Sequence, residues 1–195
     1  MDEFGASAIR MSVDATEIKV ATPSCPKMQK LLYSAYKNAH TVKYTAAISP
    51  DGTTQHWSRG YPGSISDIDC FIHTGLDKVL ESGDSVYFDK GYMSCRETLC
   101  KRLPNLNVIM PTPKRYGGGS AFQFDMSHIE GSRGVSTVRI HVERLNRRVK
   151  AYRLTVNRFI PTSFRDVATF CAAFLSNYRS PLTAADWSKG DEDEG

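Results

Sequence analysis

The sequence predicts an α/β fold in which a mixed sheet is flanked by helices. Two observations support this class. First, two β-rich segments surround the turn Pro-Asp-Gly-Thr at residues 50–53, a pattern typical of an antiparallel hairpin. Second, segments with helical spacing alternate with short apolar strands further along the chain. Such an order of elements is expected for a sheet that buries its faces against helices.

The first half of the chain begins with a predicted strand at 8–20, which carries Asp14 near its middle. Residues 21–39 have two prolines near their start and a polar end, so we predict an extended connection there. The hairpin follows at 40–61. Residues 64–83 have apolar side chains at helical spacing, and we predict one helix with Ser64 or Ser66 as its N-cap and Gly83 beyond its end.

The segment 84–92 is predicted to be a buried strand that ends at Asp89. Beyond it we predict a short helix at 94–104, a strand at 107–113, and a glycine-containing surface loop at 114–134. The closing helix at 162–178 is predicted to turn its apolar face to the core, that is, Phe164, Val167, Phe170 or Cys171, and Phe174.

Residues 133–153 contain seven Arg or Lys residues and one acid, Glu143. Residues 138–143 alternate as in a strand, but over 135–149 the apolar residues recur every three or four positions, which favours a helix. Glu143 then lies about 100° from Val142, at the edge of the buried stripe. It could form a salt bridge with Arg139 or Arg147, or it could bind a metal ion.

The overall charge also favours a polyanionic partner. The net charge of the chain is +4, and because the C-terminal sequence DEDEG contributes four negative charges, residues 1–190 carry +8. We expect three parts: a short segment at 1–12, one domain at 13–181, and a disordered acidic tail at 182–195. The five cysteines lack the spacing of a zinc site, and no apolar run approaches the length of a membrane span.

Three carboxylates are predicted on three separate elements: Asp14, Asp89 and Glu143. A hard cation such as Mg²⁺ prefers oxygen ligands, and two such ions can promote cleavage of a phosphodiester. The residue types alone are weak evidence, because any acid-rich chain offers such a set. Each acid could equally be an ordinary surface charge.

Five segments carry a resemblance to a known family. They are VDATEI, YKNAHTVKY, GYPGSISD, GDSVYFDKGY and RIHVERLNRRVKAYR, in that order. Together they resemble the catalytic domain of Harbinger/PIF-type transposases, which are DDE superfamily endonucleases, from about Val13 to Pro181. The resemblance implies a ribonuclease-H-like fold and a metal-dependent nuclease that cleaves DNA in the nucleus. It also implies a catalytic triad of Asp14, Asp89 and Glu143 that binds a divalent cation, Mg²⁺ or Mn²⁺.

The resemblance has two departures. Thirteen residues precede Asp14, whereas related transposases usually carry a helix-turn-helix-like segment there, so a separate DNA-binding protein is a possible partner. Phe88 stands where the family often has a small residue. A non-catalytic reading therefore remains open, in which a truncated or domesticated transposase remnant binds DNA or protein. Asp67 lies in a motif of the family, and its role is left open between the site and a helix cap.

Basic and aromatic residues supply the candidate contacts to nucleic acid. The predicted phosphate contacts are Lys37, His40, Lys43, Arg139, Arg144, Arg147, Arg148 and Lys150. Tyr36 and Trp57 could stack on bases, although burial is the usual position of such residues.

Overall fold

The fold is taken from a computed structural model that describes residues 9–110 and 140–179. The strands are β1 (Ile9–Lys19), β2 (Tyr33–Ser34), β3 (Ala39–Ile48), β4 (Thr54–Trp57), β5 (Tyr61–Pro62), β6 (Ser85–Phe88) and β7 (Asn107–Ile109). The helices are α1 (Pro26–Leu32), α2 (Asp67–Thr74), α3 (Arg96–Arg102), α4 (residues 140–151), α5 (Arg153–Val156) and α6 (Thr162–Leu175). None of the helices in these two ranges is long and apolar enough to cross a membrane.

The strands form one mixed sheet with β1 at its centre. Its order is β2-β3-β1-β6-β7, and β4 and β5 also pair with β3. β1 is antiparallel to β3 and parallel to β6, and β6 is parallel to β7. The predicted hairpin is present as β3 and β4. The predicted mixed sheet flanked by helices is therefore confirmed, and it is consistent with a ribonuclease-H-like fold.

Two hydrophobic clusters cover the sheet because successive residues of a strand point to opposite faces. On β3, Tyr44, Ala46 and Ile48 belong to one cluster, together with residues of α4 and α6. Ala47 belongs to the other cluster, together with residues of α2 and α3. Hence α4 is held against the same face of the sheet as α6.

Two predictions about helix positions are wrong. Residues 21–39 are not simply extended, because they contain α1 and β2. Pro26 stands in the first turn of α1, where its fixed φ favours a helix and its missing N–H costs nothing. The helix predicted at 64–83 ends at Thr74, because Gly75 adopts a left-handed φ of 71° and caps it. Its start is correct, since the Ser66 side chain accepts a hydrogen bond from the Asp69 N–H.

The predicted inner face of α6 is also wrong except at Phe174, which is half-buried and packs against the cluster that includes Tyr44. Phe164, Val167 and Phe170 are 51%, 61% and 49% exposed. The residues that face the core are Arg165, Thr169, Ala172 and Ala173. The helix predicted around Glu143 is confirmed over residues 140–151, whereas the predicted loop at 114–134 lies outside the described residues.

Candidate active site

The register of the central strands brings Asp14 and Asp89 together. Val13 of β1 is paired with Phe88 of the parallel strand β6. The next residue on each strand is an aspartate, so the two carboxylates follow the last matched pair on neighbouring strands. Asp89 is the residue directly after β6, at the carboxyl end of that strand. Sites in α/β sheets commonly form at such ends.

Glu143 approaches the same place from α4. Val142, Leu145 and Val149 are buried against the sheet, which fixes the rotation of the helix about its axis. Glu143 is exposed at the edge of that buried stripe, as predicted. Asp14, Asp89 and Glu143 all line a small cavity of about 40 Å³ together with Ser12, Tyr87 and Val142. The same three acids also line a larger open pocket of about 670 Å³.

Asp14 is in an environment that disfavours its negative charge. Burial, followed by the nearby carboxylate of Asp89, raises the pKa of Asp14 to about 7. The Ala15 N–H donates to Asp14 Oδ1 at 2.8 Å and acts in the opposite direction. On α4, Asn146 Nδ2 donates to Asp14 Oδ2 at 3.0 Å. A bound cation would relieve the electrostatic cost of ionising this carboxyl group.

Two further acids, Glu17 and Asp67, line the larger pocket. The buried ammonium group of Lys43 offsets their negative charges. The Lys43 ammonium lies 2.6 Å from Asp67 Oδ1 and 3.6 Å from Glu17 Oε1, and it also donates to the carbonyl of Ile65. Lys43 is only 6% exposed. The predicted phosphate contact Lys43 is therefore not part of the surface that could meet DNA. Asp67 lines the larger pocket and is also the first residue of α2.

A basic and aromatic rim borders the carboxylates. Lys37, Arg147 and Lys150 line the larger pocket. Tyr36 lines it too, is 85% exposed, and carries the Lys37 ammonium 4.5 Å from its ring centroid. Burial and the neighbouring Lys37 lower the pKa of Lys150, whereas Asp14 and Glu17 raise it. The rim therefore places positive charge next to the acids.

The other predicted DNA contacts that the structure describes do not lie on this rim. His40, Arg144 and Arg148 are half-buried and do not line either pocket, and Arg148 donates to the carbonyl of Ser176. Arg139 lies outside the described residues. Trp57 is buried and stacks on Tyr44, so it does not reach the surface.

The arrangement of the carboxylates decides how they could hold a metal ion. Within residues 9–110 and 140–179, no group of three or more His, Cys, Asp or Glu side chains is arranged to hold one. Asp14, Asp89 and Glu143 thus border one cavity without converging on a single point. Their chemistry nevertheless suits a hard divalent cation, which prefers carboxylate oxygens. The raised pKa of Asp14 is consistent with a place where a cation would be favourable.

Most of the chain matches one known family. Residues 13–177 match the family model described as DDE superfamily endonuclease. The chain belongs to this family. No match is found among curated proteins or among solved structures. Membership indicates a transposase-derived nuclease, and a nuclease of this family acts on DNA.

Several residues of this DDE superfamily endonuclease pocket were missed by sequence reasoning. Asn146 is three residues after Glu143, so helical spacing could have placed both on one side of α4. Glu17 carried no such signal, because its place beside Lys43 depends on the register between β1 and β3. Tyr36 was not missed, because it was predicted either to stack on bases or to be buried, and it is 85% exposed at the pocket.

Proposed function

We propose that this endonuclease hydrolyses DNA phosphodiester bonds with a divalent cation held by Asp14, Asp89 and Glu143. One observation carries the proposal: three acids, delivered by two neighbouring strands and one helix, line a single small cavity. The resemblance to DDE nucleases assigned the same three residues independently of their positions in space. A bound Mg²⁺ or Mn²⁺ would activate the attacking hydroxyl and stabilise the leaving oxygen.

The residues around the acids would have distinct roles. Asn146 holds one oxygen of Asp14 by its hydrogen bond, so it would orient this carboxylate towards the cation. Lys43 offsets the charges of Glu17 and Asp67, which limits the repulsion that they exert on the other acids. Lys37, Arg147 and Lys150 on the rim would bind the phosphates of the DNA backbone.

We further propose that the protein is of the Harbinger/PIF type within this family. The five segments that resemble Harbinger/PIF-type transposases lie on β1, on the β2–β3 connection, before α2, around β6 and on α4. All five regions contribute residues to the larger pocket; Asp67, at the end of the third segment and the start of α2, and Asp89, in the segment around β6, are two of them. A protein of this type would act on chromosomal DNA, so we expect it in the nucleus.

A nicking assay tests the catalytic role of Glu143. Supercoiled plasmid is incubated with the protein and Mn²⁺ or Mg²⁺, and conversion to the open circle is followed. Glu143→Gln should abolish nicking, while DNA affinity stays equal or increases, because a negative charge is removed beside a basic rim. Glu81→Gln is the matched control, since Glu81 has an 81% exposed side chain and does not line the pocket. Equal nicking by wild type and Glu143→Gln would refute the proposed triad.

Calorimetric titration tests the metal separately from catalysis. Wild-type protein should bind Mg²⁺ or Mn²⁺ in the absence of DNA, and the Asp14→Asn, Asp89→Asn double variant should show no heat of binding. The variant must first be shown to be folded by circular dichroism. Unchanged binding in the double variant would place the metal elsewhere.

A further inference from the structure

The outer face of α6 is apolar along its whole length. Phe164, Val167, Phe170 and Leu175 are 51%, 61%, 49% and 55% exposed. Both charged residues of the helix lie on the other side: Arg165 is 1% exposed, and Asp166 accepts hydrogen bonds from Tyr44 and Gly60. Surface helices normally show the opposite arrangement, with charges towards solvent. The core formed by residues 9–110 and 140–179 therefore leaves most of this face uncovered.

The apolar residues of this face have the spacing of a helix-pairing seam; Phe174 is half-buried against the core, and the others are exposed. Phe164, Val167, Cys171 and Phe174 of α6, and Tyr178 in the 3-10 turn that follows α6, are separated by three, four, three and four residues. This is the a and d pattern of a two-helix coiled coil. Phe170 and Leu175 occupy the flanking positions, where charged residues usually select a partner. We call these seven residues the α6 stripe.

The exposed area of the α6 stripe approaches what a stable interface needs. The exposed fractions of Phe164, Phe170 and Tyr178 (51%, 49% and 89%) amount to nearly two whole aromatic side chains. That corresponds to about 300–500 Å², before Val167 and Leu175 are added. Leu154 and Val156 of the adjacent helix α5 are exposed as well. A standard interface buries roughly 800 Å² on each partner, whereas contiguous apolar patches on monomers rarely exceed a few hundred Å².

We propose that the α6 stripe is the interface of a symmetric homodimer, in which α6 packs antiparallel against α6 of a second copy. The charge pattern selects this occupant. A two-fold axis brings each surface against itself, so like charges on the surface would repel, and the chain as a whole carries +4. The stripe avoids this repulsion because the charged residues of α6 are turned inwards. It also offers no charge that would select a different partner.

A two-fold axis between the two copies of α6 determines which residues face each other. In antiparallel coiled packing an a residue faces a d residue, so a two-fold axis near residue 169 places Phe164 opposite Phe174 of the second copy and Val167 opposite Cys171. The two Cys171 residues are then about 6 Å apart along the helix axis. With axes 8–10 Å apart, their Cα atoms are separated by on the order of 10 Å. Cys171 is a free, exposed thiol, so this separation can be probed.

The oligomeric state is the first test. Sedimentation velocity of the full chain over a range of concentrations should show a dimer that dissociates on dilution. Val167→Glu should raise the dissociation constant at least tenfold, because each dimer would bury two new charges. Val79→Glu is the control, since Val79 is 65% exposed but lies outside the stripe. A monomeric wild type, or equal effects of the two substitutions, would overturn the proposal. So would unfolding of Val167→Glu alone, because the stripe would then be covered by the chain itself.

Crosslinking tests the arrangement of the two helices. A short bis-maleimide should produce a covalent dimer in the wild type, and Cys171→Ser should abolish it. Cys25→Ser and Cys100→Ser remove two other exposed thiols and should leave the product unchanged. A covalent dimer that persists in Cys171→Ser would show that the copies meet elsewhere and would refute the antiparallel α6 pair.

Discussion

Asp14 is the residue at which position and chemistry are most closely connected. Its place on the central strand β1 puts it beside Asp89, which directly follows β6, and the fold buries it there at an electrostatic cost. Such a cost is expected where a site is arranged for a ligand rather than for stability. The fold should therefore become more stable when this charge is removed.

Asp14→Asn should stabilise the protein at neutral and alkaline pH. Folding raises the pKa of Asp14 from 3.8 to about 7, so the folded state holds this proton more tightly than the unfolded state does. Stability is consequently lost as the pH rises from 3.8 to about 7. At about 1.4 kcal/mol per pKa unit, the variant should gain up to a few kcal/mol at pH 8 and almost nothing at pH 4. Urea denaturation in EDTA at the two pH values measures this difference.

Asp51 provides a comparison of opposite sign. The hydroxyl of Ser49 and the backbone N–H of Thr53 hold the pKa of Asp51 below its ordinary value. Its ionised form therefore stabilises the turn above the ordinary pKa, and this contribution is lost as the pH falls. Asp51→Asn should slightly destabilise the protein at pH 8, where Asp14→Asn stabilises it. If both substitutions changed stability in the same direction, the electrostatic explanation would fail.

Tyr36 is a residue whose exposure suggests a contact with DNA bases. It is 85% exposed at the rim of the pocket, so its substitution should leave the fold intact. Stacking of a base on an aromatic ring contributes about 1–3 kcal/mol. Tyr36→Ala should weaken binding of a single-stranded oligonucleotide by this amount in fluorescence anisotropy, and Tyr36→Phe should bind like the wild type. An equal loss in both variants would indicate a role for the hydroxyl group instead of stacking.

At the scale of whole elements, the sequence predicts which elements exist better than how they are oriented or where they end. The strands that carry Asp14 and Asp89 were predictable because short apolar runs end at recognisable turns. The end of α2 was not, because Leu76, Val79 and Leu80 continue the apolar spacing beyond Gly75. Only the left-handed φ of Gly75 shows that the helix stops there.

The orientation of α6 could not be predicted for a different reason. The helix has apolar residues on two sides, and the larger ones, such as Phe164 and Val167, suggested the wrong face. The small residues Ala172 and Ala173 face the sheet. The side chains that fix the rotation are polar and find their partners far away in the chain, as Asp166 does at Tyr44. Local periodicity carries no information about such partners.

The contact between Asp166 and Tyr44 should therefore be important for docking α6. Asp166 Oδ1 accepts from the Tyr44 hydroxyl at 2.8 Å and from the Gly60 N–H at 3.1 Å. Asp166→Ala removes the acceptor for both groups and should lower the free energy of unfolding by about 1–3 kcal/mol. In a double-mutant cycle with Tyr44→Phe, we expect a coupling energy of at least about 0.5 kcal/mol. Additive losses in urea denaturation would mean that the hydrogen bond between Tyr44 and Asp166 does not help to hold α6 in place.

For the molecule as a whole, the decisive feature is an acidic site inside a basic rim. Asp14, Asp89 and Glu143 share the larger pocket with Lys37, Arg147 and Lys150. The cations can attract a DNA backbone, and the acids can hold a metal ion where the phosphate arrives. Contacts of this type go to phosphates, so they favour binding to DNA of any sequence.

DNA binding should consequently depend strongly on salt and weakly on sequence. Each phosphate neutralised on duplex DNA contributes about −0.9 to the slope of log K against log salt concentration. Lys37→Ala and Arg147→Ala should each make the slope less steep by about one such step, because each removes one cation from the rim. Lys27→Ala is the control, since Lys27 is exposed on α1 and does not line the pocket. The measurement is anisotropy of a labelled duplex in EDTA, in which no cleavage can occur. If the Lys27 variant changed the slope as much as the Arg147 variant, DNA would bind over the whole surface, and the pocket would lose its role in positioning the scissile phosphate.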